Sequence, residues 1–447
     1  MTTWMEERRP ADHPRPQVQP VRLQARVPQP RAPWGAGPAA PRTPMDLPGG
    51  LAALRELART SAPTLDESRR LTPELAESIR QSGFARHFVP RRRGGSAGTF
   101  ATALAATAAV GEECAATAWC AALYAAHGRL ASYLPEEGQA DLWGAGPDVL
   151  VAAAIFPPSG EAADVPGGWR LTGRWRYASG VDHADWVLLA CSTGAEGGRE
   201  HRVFAVPRER CTVYDTWRTL GLRGTGSNSV GVEGVFVPAH RTFTLADLGR
   251  PTGPERCHRV PAAMVAALQF VAPALGAARG ALRDFTADLA GRPLPDGRPR
   301  HELASVQDVL TCAGADVHMA DLLLEKAAWR ADRGHPAPLA VAENIRDGAT
   351  AIRLCRSAVD RLLAASGTAV QSEDHPLQRR WRDVTAAASH ATLDFEAASA
   401  TYTRAVLAET PGLARTGTTT PTGMTGTTAP AGATTPHPHS GPAGERA

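Results

Sequence analysis

Residues 221–238 read GLRGTGSNSVGVEGVFVP, and this stretch marks the point where a β-rich part of the chain ends. Its second half, GVEGVFVP, is a short run rich in β-branched residues and closed by proline, which is typical of a strand. Similar short runs begin near residue 151, whereas residues 46–150 and 260–408 show long Ala- and Leu-rich helical patterns. The order of helices, a small β unit and helices again predicts an α+β fold and argues against a βαβ alternation.

Composition divides the chain into five parts. Residues 1–44 are rich in Pro and Arg and residues 411–447 in Thr, Gly and Pro, so neither segment is expected to fold. The first segment has two interpretations, a disordered arm or an extension that precedes the true start at Met45. The predicted domains between them are an N-terminal helical domain at 45–150, a central β domain at 151–245 and a C-terminal helical bundle at 255–410.

Composition also argues against several classes of protein. The 447 residues are 43% hydrophobic and carry a formal net charge of +3, which is too balanced to indicate a nucleic-acid-binding chain. The seven cysteines are scattered without the spacing of a zinc site, so we predict no metal and expect a reducing, cytoplasmic location. The sequence contains no run of about 18 apolar residues, so we expect no membrane span.

The glycines at 221–231 do not form a dinucleotide-binding motif. GLRGTGSNSVG does not match the GxGxxG fingerprint, and the sequence also lacks a GxxxxGK[ST] phosphate loop. Lys326 is the only lysine, so a catalytic lysine is not expected and any phosphate must be held by Arg or by backbone N–H groups. The chain is therefore expected to lack an NAD(P)H site of its own.

A single histidine stands in the Ala-rich stretch WRDVTAAASHATLDF, residues 381–395. The stretch has no Gly or Pro and predicts a continuous helix. On a helical period, Asp383, Ala387, His390 and Asp394 share one face. His390 has two interpretations, a structural histidine or a group that faces a bound molecule across the small side chains beside it.

Several of these stretches together resemble the acyl-CoA dehydrogenase fold over roughly residues 47–408. GLRGTGSNSVGVEGVFVP at the end of the β unit and HPLQRRWRDV at the start of the last helix carry the resemblance. Three further stretches resemble the oxygenase components of two-component flavin-dependent monooxygenases, in particular actinorhodin-type hydroxylases of actinomycete aromatic-polyketide pathways. They are GGWRLTGRWRYASGVDHADWVLL, ATAWCAALYAAHGRLASYLPEEGQADLW and DTWRTLGLRGTGSNSV. This resemblance implies an N-terminal helical domain, a small central β-barrel or sheet, a C-terminal four-helix bundle and a homotetramer.

The resemblance implies a hydroxylase of an aromatic polyketide or similar phenol, with a role in antibiotic biosynthesis. In such enzymes reduced flavin and O2 form a C4a-hydroperoxide that transfers one oxygen atom. The cofactor would be reduced FMN, with FADH2 as the alternative, supplied by a separate NAD(P)H:flavin reductase. The alternatives are an acyl-CoA dehydrogenase, an N-oxygenase of an amine or amino sugar, and a helical scaffold without activity. Many dehydrogenases of this fold carry a catalytic Glu where this chain has Ala391, directly after His390, which argues against the first alternative.

The catalytic residues implied by the resemblance are His390 and Ser179. His390 would deprotonate the phenol or hydrogen-bond the hydroperoxide, and Asp394 one turn later would orient its ring. Ser179 in YASG would present its hydroxyl to the reactive edge of the flavin. Trp175 and Tyr177 alternate along the same predicted strand, so we expect them on one face, either beside the flavin or in the core.

The remaining candidates bind substrate or cofactor. His127 in YAAHG either contacts substrate or interacts with the end of its helix. Trp119, Leu123 and Phe270 are expected to line a substrate pocket. The cofactor candidates are Arg292 for the flavin phosphate of a neighbouring subunit, Gly367 and Thr368 for the flavin tail, and Ala154 and Phe156 for the pyrimidine side.

Overall fold

In a computed structural model of the protein, the described residues are 48–410 apart from 195–199, 292–293 and 295. The arm predicted at 1–44 and the tail predicted at 411–447 lie outside the described residues, and so does Arg292. The domain boundaries inferred from composition stay predictions, although the order of elements is helices, strands and helices.

From residue 48 to the first strand, the described chain contains five α-helices. Thr72 caps α2 by accepting a hydrogen bond from the backbone N–H of Leu75, and the helix ends just before Gly83, which has a positive φ of 87°. The long helical pattern after residue 100 is interrupted at 112–114, so it forms two helices. The five helices are α1 Pro48–Ser68, α2 Pro73–Gln81, α3 Phe100–Gly111, α4 Ala115–Ala131 and α5 Glu136–Trp143.

The central part forms one mixed sheet, with eight strands in the described part of the chain. Their order is β6-β7-β3-β2-β4-β5-β8, and β1 pairs in parallel with β4. β3 and β7 pair antiparallel, with register shifts on either side of Trp175. The strands are β1 Val151–Ala154, β2 Glu161–Val165, β3 Gly168–Ala178, β4 Trp186–Thr193, β5 Glu200–Pro207, β6 Thr212–Tyr214, β7 Asn228–Pro238 and β8 Thr242–Thr244.

Both faces of the sheet are buried at β4. Val187 and Leu189 belong to one hydrophobic cluster, whereas Leu188 between them belongs to another that includes Ala131 at the end of α4 and Trp143 at the end of α5. Successive side chains of a strand point to opposite faces, so β4 reads as a nearly continuous apolar run. The first helical part of the chain therefore covers one face of the sheet.

The described residues after the last strand contain five α-helices, one more than the four expected. α6 packs against α3, α4, α7, α8 and α9, and the additional helix α10 packs against α8. α6 is long and apolar enough to cross a membrane by length and composition, but most of it is buried inside the protein. It is thus the central core helix. The helices are α6 Ala262–Gly291, α7 Ala304–Arg333, α8 Pro338–Ala364, α9 Pro376–Ala388 and α10 Phe395–Glu409.

α3 and α6 cross at a pair of glycines. A Cβ on Gly276 would lie 2.2 Å from the carbonyl oxygen of Ala108 and 2.7 Å from the Cα of Gly111. No side chain fits at such distances, so the two backbones approach each other because glycine stands at both positions. This contact joins the first and last helical parts into one hydrophobic core.

The stretch at 221–225 docks on α9 through a buried carboxylate. Asp383 Oδ1 accepts a hydrogen bond of 2.6 Å from the backbone N–H of Leu222. A Cβ on Gly221 would lie 2.0 Å from the carbonyl oxygen of Arg382, so the loop backbone lies directly on the helix. Arg382 in turn pairs with Asp66 of α1 at 2.6 Å. These contacts join α1, the β unit and α9 at one place.

Asp383 predicts a pH dependence of stability. Burial raises the pKa of its carboxyl from 3.8 to about 6, so the folded protein holds this proton more tightly than the unfolded chain. The contribution of Asp383 to the free energy of unfolding is therefore present at low pH and is lost as the pH rises from about 4 through about 6. We expect Asp383→Asn, which stays neutral and still accepts from Leu222, to gain stability relative to the natural protein over this range.

Urea unfolding between about pH 5 and pH 8 measures this difference. Asp383→Ala is the matched control, because it leaves the buried N–H of Leu222 without an acceptor and should lose about 1–3 kcal/mol at every pH. Parallel pH profiles for the Asn variant and the natural protein would contradict the prediction.

Candidate active site

A cavity of about 780 Å³ lies between the helices and the sheet. Its walls come from α3, α4, α6, β1, β3, the loop at 217–227 and the segment that follows α9. Most lining side chains are apolar, and many are alanine. Nine of the residues predicted from the sequence line it, namely His390, Ser179, His127, Trp119, Leu123, Phe270, Tyr177, Ala154 and Phe156.

His390 lies beyond the end of α9, not within a helix. The continuous helix expected over residues 381–395 is wrong, because α9 ends at Ala388 and α10 begins at Phe395. His390 Nδ1 accepts from the N–H of Thr392, and Asp394 Oδ1 accepts from the N–H of Ala397. Such side-chain bonds to nearby backbone N–H groups compete with the helix. Asp394 therefore caps α10, and the shared helical face proposed for it and His390 does not exist.

The imidazole of His390 is held between aromatic rings at the cavity wall. It stacks on Phe270 with ring centroids 3.8 Å apart, and it meets the edge of Trp119 at 5.9 Å. Burial lowers the pKa of His390 from 6.5 to about 4, so the ring is neutral at pH 7. Since Nδ1 is a hydrogen-bond acceptor, the proton of the neutral ring is on Nε2. His390 thus offers an N–H donor.

His127 is a second neutral imidazole in the cavity, with the opposite tautomer. Its Nδ1 lies 2.9 Å from the carbonyl oxygen of Val151, which can only accept, so Nδ1 carries the proton and Nε2 is an acceptor. Burial lowers the pKa of His127 to about 4. α4 continues to Ala131, so the interpretation of His127 as the end of its helix is wrong.

The hydroxyl of Ser179 belongs to a directed hydrogen-bond chain. Trp119 Nε1 donates to Ser179 Oγ at 3.2 Å, and Ser179 Oγ lies 2.7 Å from Ser227 Oγ. Ser227 Oγ lies 2.7 Å from Thr225 Oγ1, whose own proton goes to the carbonyl oxygen of Leu222. Because each hydroxyl has one proton, Ser227 donates to Thr225 and Ser179 donates to Ser227. Ser179 therefore keeps a lone pair as an acceptor at the cavity.

Trp175 and Tyr177 do not share a face of β3. Trp175 is buried in the sheet and donates from Nε1 to the carbonyl oxygen of Ala190 at 2.7 Å. Tyr177 has a positive φ of 69° and is 59% exposed at the cavity. The register shift between Trp175 and Ala178 is a bulge, which inserts a residue and breaks the alternation that the sequence indicates. The prediction of a shared face is wrong, and Trp175 is a core residue.

Gly367 and Thr368 lie outside the cavity. They line a separate hollow together with Asp360, Gln371 and Trp381. Arg292 falls outside the described residues. The roles of all three in cofactor binding stay predictions.

Several polar residues of the cavity are not apparent from the sequence, among them Arg129, Arg176, Gln269 and Thr385. Thr385 stands five positions before His390, and its Oγ1 is buried without a hydrogen bond to any described residue. Arg176 stands between Trp175 and Tyr177, and its place beside two predicted residues is the one signal that could have identified it. Gln269 stands beside one predicted residue, Phe270, whereas Arg129 has no predicted residue next to it.

The chain is similar to known proteins in sequence and in fold. Residues 268–395 match the family model described as acyl-CoA dehydrogenase, C-terminal domain. The chain is 31% identical over 384 residues to the FADH(2)-dependent resorcinol hydroxylase, oxygenase component, of Rhizobium sp. (strain MTP-10005), covering 80% of this chain and 93% of the relative.

Two solved structures are also similar. The 3-HSA hydroxylase from Rhodococcus sp. RHA1 superposes with a TM-score of 0.75 at 27% identity, covering 80% of this chain and 96% of the other. XiaF from Streptomyces sp., in complex with FADH2 and glycerol, superposes with a TM-score of 0.72 at 27% identity, covering 81% and 96%. The fold is thus acyl-CoA dehydrogenase-like, with helices around a mixed sheet.

The two imidazoles predict a distinctive NMR signature. In protein labelled with ¹⁵N-histidine, we expect Nε2–H for His390 and Nδ1–H for His127, both unchanged between about pH 5.5 and pH 8 because both pKa values are lowered to about 4. Since these pKa values are below that of the unfolded chain, the stability they contribute is present above pH 6.5 and is lost as the pH falls toward 4. The variants His390→Asn and His127→Asn assign the signals. A protonated His390 at pH 7, or Nδ1–H on its ring, would overturn this assignment.

Proposed function

The chain belongs to the oxygenase components of two-component flavin-dependent monooxygenases, and from that premise we propose that it hydroxylates a multi-ring phenol. The observation that carries the proposal is the pairing of a neutral His390 N–H donor with the acceptor hydroxyl of Ser179 in one apolar cavity. A volume of about 780 Å³ is within the range of about 300–1,000 Å³ for pockets of drug-sized ligands. Such a cavity suits fused aromatic rings, as in the aromatic polyketides that the sequence resemblance implies.

The cavity residues fit a flavin. Phe156 and Tyr177 are 64% and 59% exposed, and such aromatic faces suit a flat ring system. Ser179 would accept a hydrogen bond from the N5–H of reduced flavin, and the unpaired Thr385 Oγ1 is available to a polar edge of the ring. When bound, reduced flavin reacts with O2 and supplies the oxygen atom that enters the substrate.

The proposal also concerns which flavin is used, FMN or FAD. By their names, the resorcinol hydroxylase depends on FADH(2) and the XiaF structure contains FADH2. The preference for FMN over FAD stays a prediction. In either case a separate NAD(P)H:flavin reductase would supply the reduced flavin, because the chain shows no nucleotide-binding motif of its own.

His390 acts as a hydrogen-bond donor in this proposal. With a pKa lowered to about 4 and Nδ1 occupied by the N–H of Thr392, the ring is a weak base but a well-oriented donor. Its Nε2–H would hold the phenol oxygen and stabilise negative charge as it develops there. His127 Nε2 would accept from another hydroxyl of the substrate. The aromatic walls around His390 exclude water from this contact.

The alternative of an acyl-CoA dehydrogenase is less well supported by the same cavity. Removal of an α-proton needs a carboxylate base, and none of the described lining residues is Asp or Glu. Ala391, at the position where many such dehydrogenases carry Glu, lines the cavity beside His390.

Replacement of His390 tests the proposed role. With a flavin reductase, NADH and 2-naphthol as the phenol, we expect His390→Ala to consume O2 while the yield of hydroxylated product per NADH falls at least about tenfold, the scale of one positioned donor. His335→Ala, which changes an exposed histidine between α7 and α8, is the control and should keep the natural yield. An unchanged yield in His390→Ala would exclude the catalytic role.

We also propose that the chain forms the homotetramer implied by the resemblance. On α7, Met319, Leu322 and Trp329 are 44%, 51% and 45% exposed, and with Lys326 their spacing of three and four residues places them on one face. An exposed apolar stripe of this kind is typical of a protein–protein contact.

The oligomeric state can be measured directly. Light scattering after size-exclusion chromatography should give a tetramer for the natural protein and smaller species for Leu322→Glu with Trp329→Glu. Leu407→Glu, on an equally exposed leucine of α10, is the control and should leave the mass unchanged. A monomeric natural protein, or a tetrameric double variant, would contradict the proposal.

A further inference from the structure

Arg129 is a buried cation at the wall of the cavity. Only 4% of its surface is exposed, and it is one of the lining residues. It lies ten residues after Trp119 on α4, which is about 15 Å along the helix axis from the ring that meets His390. Arg129 and His390 therefore belong to different regions of one cavity.

The guanidinium is held in a fixed plane by neutral groups. Nε donates to the carbonyl oxygen of Cys257 at 2.7 Å, and Nη2 donates to the carbonyl oxygen of Val260. The guanidinium carbon lies 5.6 Å from the ring centroid of Phe100. These contacts orient the group, but they carry no negative charge to neutralise it.

No carboxylate among the described residues pairs with Arg129. The nearby His258 is neutral because burial and the charge of Arg129 lower its pKa to about 4. Glu255, on the same loop as Cys257, accepts from the backbone N–H of Arg91. Burial lowers the pKa of Arg129, as expected for a charge removed from water without a counter-ion. A buried charge is costly unless it is paired, and the accessible space beside this one is the cavity.

We propose that Arg129 binds a carboxylate of the substrate, at the far end from the ring that is hydroxylated at His390. The ligand class is then an elongated aromatic acid, with a phenol at one end and a carboxylate about 10–15 Å away, the span set by the rise along α4. This inference rests on the proposed function for its statement that the ligand is the substrate. The binding of a carboxylate by Arg129 does not itself depend on turnover.

A matched ligand pair tests the charge. The probes are 4′-hydroxybiphenyl-4-carboxylate and its carboxamide, titrated by calorimetry into the full chain with oxidised FMN present. We expect the natural protein to bind the carboxylate about tenfold more tightly, the scale of one charge-assisted contact. Arg129→Gln, which can still donate to one carbonyl, should bind the two probes equally, and Arg129→Lys should retain part of the preference. Equal binding by the natural protein would overturn the proposal without reference to any variant.

A second arginine of the same cavity is the control. Arg176→Gln removes the cation beside Tyr177 and should leave the preference for the carboxylate intact. Loss of the preference in Arg176→Gln but not in Arg129→Gln would assign the carboxylate site elsewhere and overturn the proposal.

Product analysis under turnover separates the two proposals. A carboxylate preference without hydroxylated product supports the Arg129 site and counts against the phenol hydroxylase. Hydroxylation of both probes without a preference for the carboxylate supports the phenol hydroxylase and counts against the Arg129 site.

Discussion

The buried hydrogen bond between Asp383 and the backbone of Leu222 joins the two walls of the cavity. It fixes the loop at 221–225 on α9, and the close contact of Gly221 with the helix backbone leaves the loop no room to shift. Thr225 and Ser227 follow directly in this loop and orient Ser179, whereas His390 follows directly after α9. One contact thus sets the position of the hydroxyl chain relative to the imidazole. Burial of the Asp383 carboxylate away from solvent costs free energy. The same carboxylate fixes the junction between the sheet and the helices.

The fold could be predicted from the sequence to the level of element order and family, because apolar periodicity and several specific motifs agree. Residues that line the cavity could be predicted from the sequence, as for His390 and Ser179, whereas their roles stay predictions. The local geometry around His390 could not be predicted, since side-chain caps at His390 and Asp394 replaced helix that propensity favours. The bulge at Tyr177 could not be predicted either, because one extra residue in a strand leaves the composition unchanged. Arg129 is hidden by the abundance of arginine. Among the described residues Arg382 is equally buried, but it pairs with Asp66, whereas Arg129 has no carboxylate partner.

Electrostatics give the cavity its chemical character. Two imidazoles are kept neutral by burial, and backbone contacts fix opposite tautomers, so one presents a donor and the other an acceptor. In surroundings of low polarity such oriented dipoles interact strongly with a phenol and do not need to reorganise during the reaction. A charged histidine would instead attract anions and water, and this attraction is less directional than the hydrogen bond of a neutral ring. Burial therefore converts a residue that usually titrates near neutral pH into a fixed hydrogen-bonding group.

The alanines of α4 and α6 explain how such a cavity is compatible with a stable core. Glycines at the crossing of α3 and α6 allow the helix backbones to touch. The two helices therefore pack together without large side chains between them. Because this backbone contact holds the helices in place, the small alanine side chains elsewhere on α4 and β1 can line an open cavity. Larger apolar residues at these alanine positions would stabilise the core by filling the cavity and would remove the room for a ligand. The Ala-rich texture of the sequence therefore fits the cavity, because small side chains leave a space that larger ones would fill.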